Sequence, residues 1–246
     1  MQEEYAIRRY EQAAALLPAR WQQAARRLPD WRKAQAEEFR LRTGRPMTVL
    51  TCEGEILVSD ELPRALMTVL VPEGEVPVSG ETPQAVVTQT DLEQLCDSVT
   101  GYSRYAAADT LSRGYLTARG GFRIGVCGTA VLRGGVNTNL RDISSVTVRI
   151  SREQPGVADG LVPQLCPAGR FESTLILAPP GLGKTTLLRD LIRKLSDGTE
   201  KLPAHRVSVV DERGEIAVLY QGIPQMDVGG HTDVLDACPK AIGIPI

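Results

Sequence analysis

The stretch Thr174–Ile192, TLILAPPGLGKTTLLRDLI, constrains this chain more than any other. A short apolar run leads into a glycine-rich turn, and an amphipathic run with Leu187, Leu188, Leu191, Ile192 and Leu195 follows. That order predicts strand, loop and helix. Positions 178–185 read Ala-Pro-Pro-Gly-Leu-Gly-Lys-Thr. They match the phosphate-loop pattern G-x-x-x-x-G-K-[ST] at every position but the first.

Such a loop holds phosphate through backbone N–H groups at the positive end of a helix. The candidate binding residues are therefore Ala178, Pro179, Pro180, Gly181, Leu182, Gly183, Lys184, Thr185 and Thr186. Gly183 lets the backbone approach where a Cβ would stand. Lys184 would reach the β- and γ-phosphates, and Thr185 would offer its hydroxyl to Mg²⁺. Ala178 lies farthest from the phosphates, so a methyl group is tolerated there if φ stays negative. The implied cofactors are ATP and Mg²⁺.

About two dozen residues on, "RVSVVDERGEIA" predicts a second strand, Arg206–Val210, ending in Asp211 and Glu212. Strand, helix and strand with short connections imply a parallel βαβ unit. The spacing sets this strand apart from the one that usually carries the magnesium carboxylate. Glu212 is then the candidate catalytic carboxylate, polarising the attacking water, and Lys184 the catalytic cation. Asp211, with Thr185, is the candidate at the metal. The plain alternative is a surface acidic pair with Arg213 beside it.

The remainder divides into an N-terminal α/β domain, 1–152, and a P-loop domain, 153–246. Residues 3–40, punctuated by Pro18 and Pro29, predict two or three helices. Glu38–Val58 alternates and turns twice, which predicts strands and hairpins. Residues 60–88 hold Pro63, Pro72, Pro77 and Pro83 and predict an irregular stretch. Residues 88–111 predict a helix, with Thr90 and Glu93 as a capping box. Gly114–Gly135 predicts a hairpin turning at 120–121, and Ile143–Ile150 another strand. Pro155 and Gly156 mark the connector.

Composition narrows the function classes. The chain has 246 residues and a formal net charge of −2, and aromatic residues make up 4%. That argues against a dedicated nucleic-acid binder, which needs basic surface and stacking platforms. Five scattered cysteines without a C-x-x-C and only His205 and His231 argue against structural zinc. No run of 18 apolar residues is present, so no membrane-spanning segment is expected.

Several blocks in order carry a family resemblance: EFRLRTGRPM, GGFRIGVCGTAV, DISSVTVRISRE, PPGLGKTTLLRDLIR, VSVVDERGEIA and HTDVLDACPKAIG. Together they resemble the stage III sporulation protein AA family of endospore-forming Firmicutes, over roughly residues 15–243. The resemblance implies an ATPase related to the motors of type II secretion and type IV pilus systems. It implies an N-terminal α+β domain followed by a RecA-like P-loop domain with a parallel sheet, and a homo-hexameric ring. It implies work in the mother-cell cytoplasm on membrane proteins of a secretion-like channel to the forespore; no direct contact to nucleic acid is expected, since no basic tail or aromatic-interleaved basic patch is present. By position, Arg113 and Arg123 fall where related motors place arginines near nucleotide, although a salt-bridge role is the simpler reading.

Three departures stand out. Ala178 replaces a glycine, His231 stands where the family suggests arginine, and the chain ends before the strand expected to carry the magnesium carboxylate pair. The P-loop domain is thus expected to be incomplete, with an open apolar sheet edge and slow or absent turnover. Two further readings remain: a nucleic-acid-binding P-loop ATPase, and a scaffold that binds nucleotide without hydrolysing it.

Overall fold

The computed structural model describes residues 2–58, 85–103, 107–179, 181–200 and 202–244. The chain separates into two units, Met1–Ala118 with Phe122–Ser151, and Arg119–Gly121 with Arg152–Ile246. Most of the proline-rich stretch read at 60–88 lies outside the described residues, as does Pro180.

The first unit begins with three helices, α1 (Gln2–Ala14), α2 (Ala19–Arg26) and α3 (Asp30–Gln35). Pro18 and Pro29 stand immediately before α2 and α3 in extended conformation. Proline cannot continue the preceding helix but leads readily into a new one. A meander follows, β1 (Ala36–Arg42), β2 (Thr48–Thr51) and β3 (Gly54–Leu57). Helices α4 (Gln89–Val99) and α5 (Ala108–Ser112) precede β4 (Tyr115–Ala118), β5 (Phe122–Arg133) and β6 (Val136–Arg149). The six strands form one antiparallel sheet in the order β3-β2-β1-β6-β5-β4.

Strand β6 starts well before the expected Ile143. The pair Gly134 and Gly135, at φ +58° and +81°, folds a two-residue turn of the kind that suits hairpin twist. It brings Val136 opposite Arg133 and zips the ribbon from its tip. In β1 a register shift between Ala36 and Glu38 puts Ala36, Phe39 and Leu41 all in the core despite their uneven spacing. There they meet Tyr10, Trp21, Val49, Leu92, Ile124, Val146 and Val148. The Tyr10 hydroxyl donates to the Ala25 carbonyl at 2.9 Å, and burial raises its pKa.

Two readings of this unit need correction. The capping box is Thr88 with Asp91, not Thr90 with Glu93: Thr88 Oγ1 accepts from Asp91 N–H at 3.3 Å, and Thr88 N–H donates to Asp91 Oδ2 at 2.7 Å. The same three-residue spacing occurs twice, and the earlier copy wins because Arg20 also engages Asp91. The helix read through 88–111 breaks after Val99, where Gly101 and Tyr102 take left-handed conformations. A glycine there ends helices at little cost.

Asp91 supplies a pH test. Burial raises its pKa, but the Arg20 guanidinium and the Thr88 amide and hydroxyl outweigh it, and the net value falls below the ordinary 3.8. A depressed carboxylate stabilises the fold above its unfolded value and loses that contribution as pH falls through its folded value. Urea unfolding followed by tryptophan fluorescence should show this unit weakening as pH falls from about 5 through and below the ordinary carboxylate range. Asp91→Asn should lose about 1 kcal/mol at neutral pH and show a shallower acid dependence.

The second unit holds α6 (Val162–Leu165), α7 (Lys184–Asp197), β7 (Val207–Asp211), β8 (Leu219–Tyr220), β9 (Ile223–Pro224), β10 (Thr232–Asp236) and α8 (Lys240–Gly243). Helix α7 buries Leu191, Ile192 and Leu195. Ile192 shares an apolar cluster with Val209, Ala217 and Val228. Strands β7 and β10 pair in parallel, from Val207 with Thr232 to Asp211 with Asp236.

The strand expected at Ser173–Leu177 does not form. These residues join no ladder, and Leu175 and Leu177 are 80% and 81% exposed. A strand exists through its neighbours' backbone groups, and none of the described residues pairs with this segment. The βαβ reading therefore holds for the helix and its second strand, while the parallel ladder is made by β7 and β10.

Candidate nucleotide site

The glycine-rich turn delivers the chain into α7 in a form that only glycine adopts freely. Gly181 and Gly183 have φ of +82° and +76°, and among the described residues beyond their own chain neighbours and helix backbone no heavy atom lies within 4 Å of where a Cβ would stand on either. The demand for glycine here is conformational, and the space around the turn is open. Gly183 caps α7 from the left-handed region, with no side chain capping the helix. The N–H groups of Lys184, Thr185 and Thr186 in the first turn thus lack helical acceptors. The first helical bond runs from Leu187 N–H to the Gly183 carbonyl at 2.9 Å.

Ala178 is not among the non-glycine residues with positive φ, which are Tyr102, Asp142, Val218, Gln221 and Ala237 among the described residues. The backbone therefore makes no demand for glycine at 178. The Lys184 ammonium folds back over the loop and donates to the carbonyls of Ala178 at 2.6 Å and Pro179 at 2.8 Å. Pro179 and Leu182 are exposed on the rim, and Thr185 and Thr186 are half-buried.

The two acidic candidates have different surroundings. Asp211, 2% exposed, accepts from Glu215 N–H at 3.0 Å, Ile216 N–H at 2.8 Å and Ala217 N–H at 3.1 Å. Its carboxylate organises the turn after β7, a structural task that the metal reading did not foresee. Glu212 is exposed and pairs with the Lys240 ammonium at 3.4 Å. Both partners are well solvated, so the pair contributes 1 kcal/mol or less on the general scale of about 0–1. Among the described residues, no hydrogen bond or ion pair joins Glu212 to Lys184, Thr185 or Thr186. No group of three or more His, Cys, Asp or Glu among them forms a metal site. Magnesium is commonly held by one or two protein oxygens with water and the nucleotide's own phosphates, and Thr185 at the start of α7 could supply one.

Sequence reading missed Arg189 and Asp190. Arg189 donates through Nε to the Ile216 carbonyl and through Nη2 to the Glu215 carbonyl, both at 2.7 Å. Asp190 is buried and accepts from Gly156 N–H at 3.0 Å and Ala158 N–H at 2.9 Å. Burial raises its pKa, but the Ala158 amide and the Arg193 guanidinium hold it below the ordinary value. The available signal was a charged pair set inside an apolar helix run. The other candidates are engaged within their own units. Arg113 pairs with Asp109 at 3.0 Å on the surface, and the Arg123 guanidinium lies 4.1 Å from the Tyr115 ring centre. His231 Nδ1 lies 2.9 Å from the Ser196 carbonyl near the end of α7.

Comparison with known proteins follows from this geometry. Solved structures similar to the chain include the ATPase DotB of Legionella pneumophila, with TM-score 0.39 and 16% identity over 82% of this chain and 47% of that one. DotB of Yersinia pseudotuberculosis gives TM-score 0.45 and 13% identity over 84% and 49%. The VirB11 ATPase of the Brucella suis type IV secretion system gives 0.26 and 15% over 85% and 60%. The chain thus spans about half of either DotB. Likeness at this level carries no statement about activity.

Sequence comparison is firmer. The chain is 35% identical over 231 residues to stage III sporulation protein AA of Bacillus subtilis strain 168, covering 94% of this chain and 67% of that protein. A 95-residue stretch is 36% identical to the uncharacterised protein ycf45 of Porphyra purpurea, 35% of this chain and 16% of that one. The family described as "Sporulation stage III, protein AA" matches residues 61–246. The chain belongs to that sporulation stage III protein AA family.

Proposed function

We propose that this chain carries the nucleotide site of a sporulation ATPase with a RecA-like P-loop domain. The observation that supports it best is the turn at 181–183: two left-handed glycines, an uncapped 14-residue helix and a lysine held over the loop. The N–H groups of Gly181–Thr186 receive phosphate oxygens, and Lys184 exchanges the Ala178 and Pro179 carbonyls for them. Thr185 would offer its hydroxyl to Mg²⁺. Glu212 leaves Lys240 and accepts a proton from the attacking water. Bound Mg–ATP supplies the phosphoanhydride bond that is cleaved.

In the whole protein this site drives a homo-hexameric ring. The ring acts on membrane proteins of a channel between mother cell and forespore, from the mother-cell cytoplasm. No helix among the described residues is long and apolar enough to cross a membrane.

A second reading, nucleotide binding without turnover, is favoured by the two carboxylates. Asp211 is committed to three amides and Glu212 to Lys240. Calorimetry with Mg–ATP, beside phosphate release on the same sample, tests both. We expect one nucleotide bound per chain and turnover far below the roughly 1 s⁻¹ of an ordinary enzyme. Binding without any phosphate release supports the scaffold. No heat of binding in the presence of Mg²⁺ rejects both readings.

A further inference from the structure

We propose that Arg189 is a positioning residue that brackets the Glu212 loop to the phosphate-loop helix, so that phosphate binding at 181–186 is relayed to Glu212. The inference rests on the nucleotide reading of α7. The loop after β7 leaves at Asp211 and re-enters the core at Ala217. It is gripped from both sides at the same peptide units. Asp211 takes the N–H groups of Glu215, Ile216 and Ala217, and Arg189 holds the carbonyls of Glu215 and Ile216.

The two grips differ in what they attach. Asp211 ties the loop to its own strand, whereas Arg189 ties it to α7. Arg189 stands four residues after Thr185, on the same face one turn along. A shift of the helix start toward phosphate therefore moves Arg189 with it. Arginine meets the two carbonyls with a rigid planar fork, Nε to one and Nη2 to the other, whereas a lysine ammonium would reach them only as a point charge on a flexible stem. Ile216 adds apolar contact with the cluster around Ile192, so the bracket closes on a packed surface. On the linker side, Asp190 holds Gly156 and Ala158, so neighbouring residues of one turn fasten α7 to two separate loops.

Amide hydrogen exchange tests this in the full chain, in Arg189→Ala and in Arg189→Lys, each with and without Mg–ATP. Without nucleotide, Arg189→Ala should exchange about 10-fold faster at 215–217, since two hydrogen bonds to the loop are lost, and Arg189→Lys should fall between it and the unaltered chain. With Mg–ATP, exchange at 181–186 should slow in all three proteins. At 215–217 it should slow only in the unaltered chain. A merely structural arginine would lower the thermal midpoint but leave that nucleotide-linked difference intact. Equal slowing at 215–217 in Arg189→Ala overturns the relay, and an unchanged rate without nucleotide overturns the bracket. If Mg–ATP slows nothing at 181–186 in the unaltered chain, the nucleotide reading and the relay fall together. The comparison without nucleotide then still decides whether Arg189 holds the loop.

Discussion

Lys184→Ala should weaken Mg–ATP binding by about 100-fold or more, the equivalent of about 2.7 kcal/mol or more. The ammonium has three donors, and in this structure two already point at the loop carbonyls of Ala178 and Pro179. Those bonds hold the side chain over the turn that phosphate would enter. A charge-assisted hydrogen bond to phosphate is worth about 1.5–3 kcal/mol, and the lysine offers more than one. Removing it also leaves the nucleotide's charge balanced by the helix end alone, a contribution of about 0.3–1 kcal/mol. Thr185→Ala should behave differently, weakening the Mg²⁺-dependent part while leaving metal-free nucleotide affinity within a few-fold. Titration calorimetry separates the two variants, and circular dichroism confirms that α7 persists. Equal affinity in Lys184→Ala and the parent would place any nucleotide somewhere other than this loop.

Phe39→Ala should destabilise the N-terminal unit by about 3–5 kcal/mol. The ring is fully buried on β1, a strand paired on both sides. Its centre lies 4.9 Å from that of Tyr10 at a tilt of 51°, which joins the sheet to α1. Truncation removes the transfer free energy of the ring and leaves a cavity between two layers that cannot both relax into it. Against a typical domain stability of about 5–15 kcal/mol, the loss is large. Both tryptophans, Trp21 and Trp31, lie in this unit, so fluorescence follows it alone. Mg–ATP affinity should stay within a few-fold of the parent while the fluorescence midpoint in urea falls steeply. A midpoint shift under about 1 kcal/mol would show that the site repacks around the smaller side chain.

Much of the architecture was legible because it rests on local rules. Pro18 and Pro29 punctuate the helices, and alternation between Phe39 and Leu41 marks a half-buried strand. Gly120–Gly121 turns the first hairpin, whereas the turn at Gly134–Gly135 went unread and the last strand was expected to start only at Ile143. The capping box was misplaced because Thr90 and Glu93 repeat the spacing of Thr88 and Asp91. Only Arg20, dozens of residues away in sequence, decides between them. Ser173–Leu177 has strand composition but no pairing partner, and composition cannot report a partner. The left-handed turn at Gly181 and Gly183 and the helix that starts at Lys184 were readable because their demands are conformational and local. Asp211 and Arg189 were not, since each acts on backbone N–H or carbonyl groups that every sequence contains. Their roles depend on where the turn after β7 folds back.

The bare stretch around Leu175 and Leu177 shapes the solution behaviour of the protein. With Leu182, Ile242 and Ile244 also exposed, this unit displays several sticky side chains. A net charge of −2 and an isoelectric point near 5.8 supply little long-range repulsion to keep molecules apart. Attraction between molecules should therefore dominate near the isoelectric point, where light scattering would give a negative second virial coefficient. Moving the buffer well above it restores charge, and the sample becomes colloidally stable without any change in fold.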